Sequence, residues 1–151
     1  MASAPTNMQL PQELQKFPAA TLIVAADSTQ AKLYLTGGDS LDEVGSVALP
    51  RESRQDNEGS FTSSDGSRVA GPVDEKDVPR LKSFIRQTAT AITGLMRMHK
   101  IQHLDLIMPA EVEHALIAEL PSDVDTLIQR KLNKDLMKES PVEMVKRLLE
   151  A

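Results

Sequence analysis

Two histidines and two aspartates are the first residues to weigh for chemistry. His99 and His103 stand at i, i+4 in HKIQH. On one helix that spacing lets two imidazoles share a metal. The helical pattern before them ends between the two, however, and no carboxylate stands at a matching spacing on that element. His114 is alone. No metal site is therefore expected. Asp27 follows the apolar run TLIVAA, at a strand end where α/β folds place functional groups. Asp105, in HLDLIM, would complete a two-carboxylate nuclease site, but the necessary carboxylate cluster is not visible. Asp105 lies inside an alternating strand, and Asp27-Ser28-Thr29 reads more simply as a hydrogen-bonded turn. Serines are plentiful without a Gly-x-Ser-x-Gly elbow. The chain has no cysteine, which removes thiol chemistry and cysteine-based zinc sites. No catalytic residue, cofactor or small-molecule substrate is expected.

Cations give a stronger pattern. From Lys76 to Lys100 the chain carries six basic residues and one acidic residue, Asp77. At about 100° per residue, Lys82, Arg86, Arg97 and Lys100 fall within about 60° of one another on a helix. Such a strip can follow a phosphate backbone, and the same residues also suit a solvated face. No aromatic is interleaved, so base readout is not expected. The polar stretch Leu49 to Asp77 comes just before. Between Arg51 and Pro72 it holds three basic residues, Arg51, Arg54 and Arg68, against Glu52, Asp56, Glu58 and Asp65. A loop that sits among phosphates should be basic; this one is slightly acidic. It reads either as a probe, with Arg51, Arg54, Gly59 and Arg68 as contacts, or as a polar insertion.

The elements that must position these residues follow from hydrophobic period. TLIVAA (21–26) is a nearly continuous apolar run, as expected of a buried central strand. QAKLYLT alternates as a half-buried strand, GGDS turns the chain, and LDEVGSVALP reads as a third strand. These three form an antiparallel meander. Val78, Leu81, Ile85, Ala89, Ile92 and Met96 then recur at helical spacing, with Asp77 as the expected N-cap. HLDLIM is a fourth strand, AEVEHALIAEL a helix ended by Pro121, and SPVEMVKRLLE a helix with Ser140, Pro141 and Glu143 in a capping box. The stretch SDVDTLIQRKLNKDLMKE fits helix or strand. Residues 1–19 read as a polar arm with three prolines that Leu10, Leu14 and Phe17 can pin down as a short helical turn.

The totals agree. At 151 residues the chain has room for one domain and a core that needs no disulfide or metal. Aromatics are 3%: Phe17, Phe61, Phe84 and Tyr34. The net charge of −5 argues against binding nucleic acid or anionic membrane over the whole surface, though not against a local strip. With no basic start followed by a long apolar run, and no run of about 18 apolar residues, neither signal peptide nor membrane span is expected, and the expected location is cytoplasmic.

TLIVAADSTQAKLYL, the polar loop, the long helix, LDLIMPAEVEHAL and KLNKDLMKESPVEMVKRLL together resemble the bacterial host-attachment protein family. That family is similar to the middle domain of the archaeo-eukaryotic peptide-chain release factor and of Pelota. The resemblance spans roughly residues 20–150. It implies a three-layer α/β/α domain with a five-stranded mixed sheet of ribonuclease-H-like topology, the second strand antiparallel to the rest. It also implies a strand near Leu127 to Lys134 and a loop at 50–76. In the release factor the equivalent loop carries Gly-Gly-Gln for peptidyl-tRNA hydrolysis. Here the sole Gly-Gly, Gly37-Gly38, is followed by Asp39 in a hairpin. The resemblance therefore implies association with ribosome or tRNA without hydrolysis. A protein-interaction module that acts in attachment, with a homo-oligomer as one form of it, is the alternative.

Overall fold

The computed structural model describes residues 7–49 and 74–150, with side chains from 8 and from 79 onward. The chain runs β1 (Asn7–Gln9), a 3-10 turn (Gln12–Leu14), β2 (Thr21–Ala26), β3 (Gln30–Gly37) and β4 (Ser40–Ala48). It continues with α1 (Asp74–Met98), β5 (His103–Ile107), α2 (Ala110–Glu119), α3 (Ser122–Asp125), β6 (Ile128–Leu132) and α4 (Pro141–Glu150).

One mixed sheet orders the strands β1-β4-β3-β2-β5-β6. The expected meander is present: β2 pairs antiparallel with β3, and β3 with β4. β5 lies parallel to β2, and β6 parallel to β5. The ambiguous stretch supplies β6, a strand. The expected count of five strands is corrected to six among the described residues. Asn7–Gln9 pairs antiparallel with Asp42–Ser40 at the sheet edge. Three residues of a polar arm give no alternation to read, so this strand was invisible to hydrophobic period.

All six residues of β2 are buried, because both sheet faces are covered. Leu22, Val24 and Ala26 point to the layer of α1, α2 and α3, together with Leu33, Phe84, Ile92, Leu104 and Leu116. Ile23 and Ala25 point to the opposite face, with Tyr34, Leu41, Ile107, Met144 and Leu148. Leu10, Leu14 and Phe17 complete that second cluster. The N-terminal residues thus pin down in one turn, as expected, and form part of the core.

Two helix ends depart from expectation. α1 begins at Asp74, so Asp77 is inside the helix rather than its cap, as is Pro79. Ser140 Oγ accepts from the Glu143 amide at 3.2 Å, which is half of the expected capping box. The Glu143 carboxylate instead turns outward to Arg147, which donates at 2.9 Å.

Candidate nucleic-acid interface

α1 is a rod seated on the sheet. Phe84, Ile85, Thr88, Ala89, Ile92 and Met96 are buried beneath it. Lys82, Arg86, Gln87, Thr90, Gly94 and Arg97 are exposed on the other side. The period of 3.6 that buries the first set necessarily displays the second. Lys82 and Arg86 are one turn apart, about 6 Å along the axis at 1.5 Å per residue. Both line an open groove of about 570 Å³, together with Ser83, Gln87 and Thr90. Arg86 is also the link to a second groove of about 530 Å³, floored by Thr90 and Gly94 and walled by Glu119 and Pro121. Neither Lys82 nor Arg86 makes an ion pair with the described residues.

The other half of the expected strip is different. Arg97 donates from Nη2 to both carboxylate oxygens of Asp123 on α3, at 3.1 Å each. The two side chains are 59% and 62% exposed, and an exposed pair of this kind contributes about 0–1 kcal/mol. Arg97 is thus tied to a carboxylate rather than standing open. Lys100, the last residue of the expected strip, lies beyond the end of α1. It adopts φ +53°, and the Ile101 amide donates back to the Met96 carbonyl at 3.0 Å. That is a Schellman end, with buried Ile101 packed beside buried Met96. A helical wheel cannot place a residue outside the helix. The loop residues Arg51, Arg54, Gly59 and Arg68 lie outside the described residues.

The carboxylates that would suggest nuclease chemistry do not come together as such a site. Asp27 Oδ1 accepts from the Thr29 amide, the Thr29 hydroxyl and the Gln30 amide at 2.8–2.9 Å, a turn as expected. Asp105 is fully buried in β5. Arg130 Nη1 donates to it at 3.0 Å and Gln129 Nε2 at 3.3 Å. Burial pushes the Asp105 carboxyl upward, and the Arg130 and Gln129 donors offset part of that. Arg130 also lies 5.5 Å from the ring centroid of Phe17, within cation–π range. His99 is exposed and His103 stands on the next strand, so they do not share a helix. Among the described residues no group of three potential metal ligands occurs.

Sequence reasoning missed Asp123 and Arg130. Each meets its partner through the fold, across 26 and 25 residues of chain, and no local period signals such a meeting.

The model of the family described as "Protein required for attachment to host cells" matches residues 22–148. The chain belongs to that family. Its first strand and the 3-10 turn lie outside the matched span. Among solved structures, an archaeal translation termination factor, aRF1, is similar with a TM-score of 0.50 and 9% identity, over 85% of this chain and 37% of that one. A second, described as an archaeal protein, has a TM-score of 0.46 and 12% identity, over 87% of this chain and 37% of that one. This chain thus spans just over a third of the length of either structure. The release-factor likeness expected from the sequence holds at the level of fold. No curated protein matches the chain.

Proposed function

We propose that this domain is a non-enzymatic, cytoplasmic, release-factor-like module that binds ribosomal RNA or tRNA by phosphate contacts along α1. In this reading β2 to β6 are the ribonuclease-H-like sheet of the release-factor middle domain, with β1 added at its edge. The observation that carries it is the pair Lys82 and Arg86, one turn apart on the rim of a shared groove. Two cations at that spacing fit successive phosphates, while Ser83, Gln87 and Thr90 beside them offer neutral hydrogen-bonding groups. The absence of Gly-Gly-Gln from the sequence supports binding without peptidyl-tRNA hydrolysis.

Ribosome co-sedimentation tests this reading. Wild-type protein is expected to pellet with ribosomes at low salt and to release as salt rises. Changing Lys82 and Arg86 together to Glu is expected to abolish pelleting. Association that ignores both salt and these substitutions would refute phosphate binding through α1. The family's description favours a second reading, a protein-interaction module in attachment. A salt-insensitive complex that survives nuclease would favour that one.

A further inference from the structure

Asp123 occupies one terminal nitrogen of the Arg97 guanidinium, Nη2, with its carboxylate. Its carboxylate presents two oxygens to the Arg97 guanidinium, each at 3.1 Å. A phosphodiester likewise presents two non-bridging oxygens that share one negative charge and can accept from a guanidinium nitrogen. Arg97 lies on the exposed face of α1, eleven residues, or about 16 Å, beyond Arg86 on the same helix. The second groove, lined by Arg86 and not by Arg97, is floored by Thr90 and Gly94, and its far wall carries Glu119. A Cβ on Gly94 would meet nothing within 4 Å, so the floor is open to a bulky backbone. Among the described residues the face therefore has a cationic end without an ion pair at Lys82 and Arg86, and an end where Arg97 already meets a carboxylate.

We infer that Asp123 is an internal competitor that occupies Arg97 and restricts the phosphate track to the Lys82–Arg86 end until a longer RNA displaces it. This rests on the proposed RNA-binding function and adds a regulating residue to that site. Because both side chains are mostly exposed, the pair is screened by water and salt, and exchanging the carboxylate for a phosphate is close to balanced. Short RNAs would engage Lys82 and Arg86 alone. Longer ones would also recruit Arg97, and with it one further released counterion.

The test compares Asp123→Asn with Asp125→Asn, using a mixed-sequence single-stranded oligoribonucleotide over a salt series. Asp125 is exposed on the same short helix and removes the same charge. Asp123→Asn is expected to tighten binding roughly three- to tenfold and to steepen the slope of log K against log salt by about 0.7, the value of one single-strand phosphate contact. Asp125→Asn should leave the slope unchanged. Adding Arg97→Gln to Asp123→Asn should return affinity and slope to wild-type values. The inference is overturned if the two Asn variants behave alike, or if Asp123→Asn gains affinity without Arg97. Should Asp123→Asn change nothing while Lys82→Glu and Arg86→Glu abolish binding, the competitor fails and the binding site stands. If no variant binds the oligoribonucleotide at low salt, both fail.

Discussion

At the residue scale the most consequential contact is a buried charge. Asp105 is fully buried, and Arg130, one-third exposed, reaches it from the neighbouring strand while lying over Phe17. Removing one member of such a pair strands the other. Arg130→Ala is expected to cost about 3–5 kcal/mol in denaturant unfolding, since it leaves a carboxylate without its cation. Asp105→Asn should cost less, because the amide keeps the shape and loses the charge. The pH dependence has a definite sign. Burial raises the folded-state pKa of Asp105 above its unfolded value. Its contribution to stability is thus fully present below the ordinary carboxylate range and is lost as pH rises through the raised value. The stability of wild type relative to Asp105→Asn is expected to fall over that window; a flat difference would contradict it. Tyr34, the sole tyrosine, is a second reporter. Burial, helped by Glu43, pushes its hydroxyl up to about 12. Absorbance titration should show no phenolate near pH 10 while the protein stays folded, and stability should decline between about pH 10 and 12 as the unfolded chain ionises first. The strand that holds Asp105 was legible from its alternation. The partner that neutralises it was not, because that contact is created by the β5–β6 pairing.

At the scale of elements, α1 shows both what periodicity reveals and where it stops. The apolar stripe from Leu81 to Met96 predicted a helix, and the exposed cations followed from it. Its end did not, because a left-handed residue has no apolar signature unless it is glycine. Lys100 adopts φ +53°, a conformation that costs a non-glycine residue about 1–2 kcal/mol. Lys100→Gly is expected to raise stability by about 0.5–1 kcal/mol after the larger chain entropy of glycine is set against that relief. A lower midpoint in denaturant would mean that the lysine side chain contributes more than its backbone costs. In α4 the Ser140 cap was legible from the SPVE pattern. Glu143 had two uses open to it, the Ser140 amide or Arg147 one turn on. It took the i, i+4 ion pair, which also holds its carboxyl below the usual range through the Arg147 hydrogen bond. The competition between cap and ion pair is decided by side-chain direction, which spacing alone does not give.

At the scale of the whole molecule, the sheet separates two cores, and the second one depends on residues that looked like a tail. The expected three layers are present because β2 carries apolar residues on both faces, which a sheet covered on one side does not require. α4 alone does not close the second face. Leu10, Leu14 and Phe17 finish it, each less than a tenth exposed, and β1 fixes their approach by pairing with β4. Burying each of these side chains contributes about 1.5–3 kcal/mol. Three together reach about 5–9 kcal/mol as an upper bound, because a denatured chain already buries some of that surface. A domain of this kind has only about 5–15 kcal/mol in total. Removing residues 1–17 is therefore expected to leave a protein that lacks a cooperative unfolding transition or melts far below the full chain, although the whole family-matched span, residues 22–148, is retained. Phe17→Ala tests the same claim more gently. It should cost about 3–5 kcal/mol through the cavity it leaves and the lost cover over Arg130. Double-mutant analysis with Arg130→Met should recover part of that cost, since the two residues touch. If the truncated chain unfolded as cooperatively as the full one, with an unchanged midpoint, the second core would have to be closed by α4 alone. The N-terminal strand would then be an ornament on the sheet edge.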